Sequence, residues 1–591
     1  MAQTKEEMRM LIRAAMGDVK SDLIVTGGKV INVYSGEILS GQEIAVVQGR
    51  ICYVGPSAAH TRGAETTIVD AGGLYIAPGF IDGHTHIGHY CRPFEHLQSF
   101  VARGTTAVVA SCDELASVFG YRGLKLFLDE VKRHPVRVYS LVSMVVPQDP
   151  LLCNTATFSD EEFTQALADP GVLGVGEIVS WLRLTRCDEQ LLERIGIARA
   201  NGRIIHGHTA GARDQKLCAV AAAGISSCHE PIRMEDALER LRLGYWTMLR
   251  EGSLRQDLEQ TLKPMIEQKV SLRRVMLVTD SMTPDDVEKW GHMDHVVRRA
   301  IALGLSPMQA IQAVTVNTAM YSGLDQEIGG IAPGRFADLV FLEDLEKCHV
   351  REVLIGGEPV ARDGESVIRV SPMTFPAAMT DSLGLQPNVS ADMFQIPCAA
   401  RESKLRVIEL LNSTITAERM IQVTSVSGFV EAKVSEDLMK VAVFDRHKTG
   451  GKITLGFLKG FGAKVGAVGL SVNLDENALM IVGSNDADMA CCANVLAECG
   501  GGIAVVNRGE VLEKAEFRLA GVASLEPWKT VAGRLRRIQS CLRENGAPFD
   551  KPLSPLSFLT FVTLPTLRIT SRGLINAKER RIVPLFVDEP S

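Results

Sequence analysis

Between residues 76 and 320, eight short apolar runs alternate with longer stretches patterned for amphipathic helix. The runs are YIAPGFID, TTAVVAS, VRVYSLVSM, GVLGVGEI, GRIIHGH, GISSCHE, YWTMLREG and VMLVTD, and stretches such as ELASVFGYRGLKLFLDEVKR and SLRQDLEQTLKPMIEQK lie between them. Near-continuous apolar strands separated by helices are the pattern of parallel strands buried on both faces. Eight such units predict an α/β fold, a (β/α)8 TIM-like barrel. A doubly wound open sheet is the alternative, because periodicity does not report closure. Neither a GxGxxG turn nor a P-loop accompanies any run.

The flanks have a different texture. Residues 1–75 predict a short amphipathic helix, over 5–16, and then the first part of a β-sandwich: DLIVTGG, KVINVY, EIAVVQGRICYVG and TTIVDAGG are short strands separated by Gly and polar turns. The barrel is expected over 76–324, and the glycine-punctuated segment 325–370 is expected to return to the same sandwich. Residues 371–400, rich in Pro, Met and small residues, read as a linker. A separate C-terminal domain is expected over 401–591, with strands such as LMKVAVFDR and ALMIVGS and a helix near DADMACCANVLAECGG.

With 591 residues the chain is long enough for two to four domains, and its 46% hydrophobic content supplies large cores. The net charge of −7, with no dense Lys/Arg block, argues against nucleic acid or an anionic membrane as a partner. No apolar run approaches the ~18 residues of a membrane span. The charged N-terminus lacks a signal-peptide pattern, and the 13 cysteines are scattered with no CxxC pair. A reducing, cytoplasmic setting is expected. The HxE…PCxxC signature of zinc-dependent base deaminases is absent, so deaminase chemistry here needs another scaffold.

Barrel enzymes carry their chemistry at the C-terminal ends of the strands. His84 and His86, two apart, point to the same side at the end of the first run. The fourth run ends in Glu177, the fifth in His206-Gly207-His208, the sixth in His229-Glu230 and the eighth in Asp280. The second, third and seventh end in Ser111–Asp113, Met144 and Arg250–Glu251, which are less telling. Taken singly, each has a plain structural reading: a hydrogen-bonded core histidine, a Glu177–Arg183 ion pair, or a helix cap at Asp280. Their recurrence at successive strand ends predicts a metal site, since imidazole and carboxylate suit Zn²⁺, Mn²⁺ or Fe²⁺.

The stretch PGFIDGHTHIG, with GGIAPGRFADLV behind the barrel, resembles the amidohydrolase superfamily, whose members hydrolyse C–N and related bonds on one or two metals. The likeness extends further. LIRAAMGDVKSDLIVTGGKVINVYSGEI, GHTAGA, AAGISSCHE, LERLRLGYWTMLREGS, KVAVFDRHKTGGKITLGFLKGFG and MIVGSNDADMA are similar to the bacterial adenine deaminase family from about residue 11 to about 575. A two-metal member of the superfamily often bridges its ions with a carboxylated lysine on the fourth strand. No lysine lies between Lys132 and Lys216 here, and Glu177 can take that place. The resemblance then implies two divalent ions, Mn²⁺ or Fe²⁺ with Zn²⁺ also suitable. His84, His86, Glu177 and Asp280 would hold one, and Glu177, His208 and His229 the other, with His206 a neighbour. Ser111-Cys112-Asp113-Glu114 stands where the family carries DPHE, His86-Ile87-Gly88-His89-Tyr90 where it carries HIESS, Thr279-Asp280-Ser281 where it carries TDD, and Leu474-Asp475-Glu476-Asn477-Ala478 where it carries HDSHN. These departures fall on pocket neighbours and not on the ligands.

The resemblance implies hydrolytic deamination of adenine to hypoxanthine and ammonia, with a small purine base as partner and no organic cofactor. Asp280 is the expected proton carrier and Glu230 the expected partner of the ring or support for a ligand. A homo-oligomer is left open. The alternatives are hydrolysis of another aminopurine or a cyclic amide on the same residues, and a non-catalytic scaffold of the same fold.

Overall fold

A computed structural model describes residues 3–144, 147–446 and 452–587. The segment HKTGG of the KVAVFDRHKTGGKITLGFLKGFG resemblance lies outside the described residues. The barrel strands are β1 (Phe80–His86), β2 (Thr105–Ser111), β3 (Arg137–Val142), β4 (Val172–Ile178), β5 (Ile204–Gly207), β6 (Ser227–Cys228), β7 (Trp246–Arg250) and β8 (Val275–Val278). Strands β5-β4-β3-β2-β1 form one parallel sheet, and β6-β7-β8 form a second. The ring closes at both seams. β5 packs beside β6, and the chain leaving β8 pairs Asp280 and Ser281 in parallel with Thr85 and His86 of β1. Seven of the eight strands fall within the expected apolar runs, and the first overlaps the end of its run. Every residue of β2 is buried, as expected of a strand with helices outside and side chains filling the barrel within.

One run divides. YIAPGFID, expected as a single barrel strand, breaks at Gly79. Tyr75–Pro78 joins the sandwich and Phe80–His86 the barrel, so the boundary lies three residues beyond the expected one. A Cβ at Gly79 would stand 1.9 Å from Thr106 Oγ1, so only glycine lets the chain pass from one sheet to the other so close to β2.

The sandwich is assembled from both ends of the barrel. Lys29–Asn32, Glu37–Ser40 and Tyr75–Pro78 share a seven-stranded sheet with Leu339–Leu342, Val350–Ile355, Glu358–Arg362 and Glu365–Ser366. A four-stranded sheet from residues 23–70 covers it, and Ile44, Ile76, Leu339 and Phe341 fill the space between. Residues 371–400, expected as a linker, are instead packed. Leu383, Val389 and Phe394 are buried against Phe444, Met489 and Leu496 of the C-terminal domain. The Pro-rich composition hid three apolar anchors that have a core to enter.

The C-terminal domain is built on an eight-stranded, mostly antiparallel sheet with Leu438–Phe444 and Leu479–Gly483 at its centre. Helix Asp486–Glu498 lies on that sheet, and helix Trp528–Glu544 reaches toward the barrel, where Gln539 meets Asp285 and Trp528 N–H donates to Glu95. The domain sits over the barrel mouth. Tyr90–Cys91, just after β1, pairs with Ala523–Ser524. The loop after β3 is tied across by Arg580 to Asp149 (2.8 Å), Thr570 Oγ1 to Leu152 O (2.7 Å) and Arg572 Nε to Cys153 O (2.8 Å). Among the described residues no helix is long and apolar enough to cross a membrane, and all thirteen cysteines are free.

Candidate metal centre

Alternation along β1 sends Asp82, His84 and His86 to one side, into the barrel. Glu177 is the penultimate residue of β4, His208 follows β5, His229 follows β6, and Asp280 follows β8 by two residues. The backbone of Asp280 is left-handed, with φ = +62°. A non-glycine residue held there is strained by about 1–3 kcal/mol, and such strain collects at functional sites. Here the turn lays Asp280 alongside Thr85, within reach of both β1 histidines.

Glu177 is the centre of the cluster, and its two oxygens face different partners. Oε1 lies 3.3 Å from His86 Nε2 and 3.9 Å from His84 Nε2. Asp280 Oδ1 completes that side, 3.4 Å from His84 Nε2 and 3.9 Å from His86 Nε2. Oε2 lies 2.5 Å from His208 Nδ1 and 3.2 Å from His229 Nε2, and those two nitrogens are 3.1 Å apart. Among the described residues, His84, His86 and Asp280 converge closely enough to hold one cation; His84, Glu177 and His229 form a second such group, and His208, His229 and Glu230 a third.

The donors fit a metal chemically. Neither ring nitrogen of buried His84 has a hydrogen-bond partner, and neither has Nδ1 of His229. Buried polar atoms are seldom left unpaired, and a divalent ion between imidazole and carboxylate would satisfy them. Burial, then the neighbouring His229, pushes His84 down to about 4, so its lone pair is free near neutrality. Burial opposes the charge on Glu177, but His229 and His208 hold its carboxyl well below the usual range.

His206 lies outside the groups able to hold a cation. Its ring is fully buried, 5.7 Å from that of His84 and 5.3 Å from that of Tyr321, centroid to centroid. Strand alternation alone left His206 and His208 equivalent; in the fold β5 ends at Gly207, and only His208 reaches Glu177.

Three further side chains stand at the site without having been singled out by the strand-end reading. Glu114 Oε1 is 2.9 Å from Nδ1 of His86, the arrangement that fixes the tautomer of a ligating histidine. Arg250, buried at the end of β7, contacts Glu230, Asp257 (2.9 Å) and Asp280 (3.2 Å). Burial opposes the charge on Glu230, but Arg250 and then His208 bring its carboxyl down to about 2, so Glu230 is an acceptor and not an acid. The third is Asp475, from the C-terminal domain. The signal for Arg250 was only its position at a strand end; its three acidic partners come from separate segments.

A cavity of about 560 Å³ opens above Glu177, within the usual range for small-ligand sites. The barrel supplies its polar floor, while Leu474, Asp475, Phe558, Phe561 and Leu564 supply a roof. Two domains therefore make one pocket.

Comparison with known proteins divides the chain in the same way. The amidohydrolase family matches residues 75–360, and the adenine deaminase C-terminal domain matches residues 413–581. An adenine deaminase of Moorella thermoacetica is 40% identical, with 98% of each chain covered. That of Cenarchaeum symbiosum is 38% identical over 98% of this chain and 94% of its own. Adenine deaminase 3 of Rhizobium meliloti is 36% identical over 96% of both. Among solved structures, molinate hydrolase aligns with a TM-score of 0.46 at 17% identity, covering 60% of this chain and 98% of its own. A barrel with histidines and carboxylates at its strand ends, roofed by a domain of matched type and colinear with these relatives from end to end, leaves one assignment: the chain belongs to the adenine deaminase family of amidohydrolases.

Proposed function

We propose that this protein hydrolyses adenine to hypoxanthine and ammonia on two divalent ions, Mn²⁺ or Fe²⁺ before Zn²⁺. The observation that carries the proposal is Glu177, whose two oxygens each face a separate pair of histidines at the floor of a roofed pocket. His84, His86, Glu177 and Asp280 would hold one ion, and Glu177, His208 and His229 the other. Bound there, the ions supply hydroxide at neutral pH by lowering the pKa of water.

The chain's own groups do the rest. Asp280 stands at the seam between β8 and β1, with Oδ1 toward the histidines and Oδ2 toward Arg250. It takes the proton of the attacking water and returns it to the departing amine at C6. Arg250 holds Asp280 and Glu230 apart from one another's charge while binding both. Glu230, at the pocket wall, accepts a hydrogen bond from the reacting edge of the ring. The roof excludes bulk water, and with it competing proton acceptors.

The test is ammonia release from adenine by protein loaded with Mn²⁺, compared with Asp280→Asn. Wild-type turnover and a loss of at least ~10²-fold in the variant are expected, since general acid–base help is worth roughly 10²–10⁴. An Asp280→Asn protein with a near-normal rate would remove Asp280 from the proton path. A second reading rests on Asp113, which lines the pocket and stands at the histidine position of the DPHE pattern that this stretch resembles: ring opening of a cyclic amide, without ammonia release from adenine, would establish that reading instead.

A further inference from the structure

Part of the roof is one tight loop, Leu474–Ala478, clamped on either side of a single free side chain. Leu474 N–H donates to Ser557 O (3.0 Å), and Leu474 O accepts from Thr560 Oγ1 (2.7 Å). Glu476 accepts from Asn154 N–H (3.0 Å), Ser571 N–H (3.0 Å) and Ser571 Oγ (2.6 Å). Asn477 donates to Ser117 Oγ (2.9 Å), and its carbonyl accepts from Arg446 (2.6 Å). Between them Asp475 lines the cavity, and its Oδ2 is buried with no hydrogen-bond partner. It lies within electrostatic reach of Glu177, Asp113 and His208.

The backbone says that this placement is held against a cost. Asp475 and Asn477 both adopt left-handed φ, +68° and +48°. Such residues persist where the surroundings over-determine them, and they cluster at ligand clamps. The clamps on either side supply that determination. An unpaired buried oxygen is itself unfavourable. Strain and an unmet acceptor at one residue, aimed into the pocket, are explained together by a donor on the ligand.

A purine base has two kinds of donor, the 6-amino group and the ring N–H of the imidazole. The amino group must lie over the Glu177 cluster to react, which leaves the ring N–H for the roof. We propose that Asp475 is a specificity-determining residue, whose buried oxygen accepts the imidazole-ring N–H and so selects the free base over N9-substituted adenines. The proposal rests on the function proposed above. A site built around a substrate N–H discriminates strongly against an analogue lacking it, because the protein's polar group is then left unpaired.

The experiment compares adenine with 9-methyladenine, which has no imidazole-ring N–H in any tautomer, as substrate or competitive inhibitor of the metal-loaded full chain. Asp475→Gly removes the oxygen and tolerates positive φ; Asp475→Asn keeps an oxygen and also tolerates it. For Asp475→Gly a rise of roughly 10–100-fold in the KM for adenine is expected, the cost of leaving the buried ring N–H without an acceptor. The 9-methyladenine inhibition constant should stay within a few-fold, so the discrimination collapses, and Asp475→Asn should restore most of it. An equal loss for both ligands, or an unchanged adenine KM, would overturn the inference while the deaminase reading stands. A wild-type enzyme that neither binds nor deaminates adenine would overturn both.

Discussion

Glu114 lies outside the proposed ligand set but touches one of its members. Its Oε1 meets Nδ1 of His86 at 2.9 Å, and His86 presents Nε2 toward Glu177. The carboxylate holds the proton on Nδ1 and leaves Nε2 as the electron donor, which also raises its basicity. Glu114→Ala is therefore expected to weaken metal binding about 10–100-fold, read by competition with a chelator, and Glu114→Gln, which keeps an acceptor, should recover much of it. A variant that binds metal as wild type does would show that His86 is oriented by its packing alone. The residues proposed to hold the ions were legible as candidates in the sequence because each stands at a strand end, where the fold class itself points. Glu114 and Arg250 were not. Glu114 is recognisable only once helix Asp113–Phe119 is seen to return over β1, and Arg250 only once Glu230, Asp257 and Asp280 surround it.

At the scale of elements, the eight apolar runs marked the barrel because buried parallel strands need apolar residues on both faces. What composition could not show was where a run changes partners, as at Gly79, or when a Pro-rich stretch has anchors, as at Leu383 and Phe394. The barrel's outer layer carries a pH dependence of its own. His134 follows helix Tyr121–Val131 and is buried edge-on against Phe94 of helix Pro93–Val101, its Nδ1 accepting from Val136 N–H. Burial pushes His134 down to about 3. The folded pKa lies below the ordinary value, so below about pH 6.5 the unfolded chain binds a proton that the folded one does not. The stability is present above that pH and is lost as pH falls toward the folded value. Lowering pH from 7 to 5 should cost on the order of 1–2 kcal/mol through this group. The urea midpoint of His134→Asn, which keeps an acceptor for Val136, should fall less over that interval than the wild-type midpoint. Parallel curves would show that His134 binds its proton alike in the folded and unfolded states.

Across the whole molecule, the pocket exists only because the C-terminal domain is held over the barrel, and much of that hold passes through the loop after β3. This loop has no helical or strand structure between Asp149 and Thr157, so its shape is set by what it binds. Arg580, Thr570 and Arg572 fasten Asp149, Leu152 and Cys153, and Glu476 fastens Asn154 while also binding Ser571. Glu476 is thus the point where the loop, the roof segment 474–478 and the turn at Ser571 meet. It is buried, and burial raises its carboxyl to about 7 against the opposing pull of Ser571. Truncating it leaves the buried N–H and hydroxyl of Ser571 and the part-buried N–H of Asn154 without their acceptor, at about 1–3 kcal/mol for each that finds no water. Glu476→Ala is expected to lower stability by about 3 kcal/mol, seen in the urea midpoint. It should also free the loop, so that limited proteolysis cuts between residues 147 and 157 where the wild type resists. Because the roof segment is released with it, the KM for adenine should rise while bound metal is retained, the proposed ligands all lying on the barrel. Loss of metal with the roof displaced would mean that the floor of the site also depends on the C-terminal domain; an uncut loop and an unchanged KM would mean that Arg580, Thr570 and Arg572 hold the two domains together without Glu476.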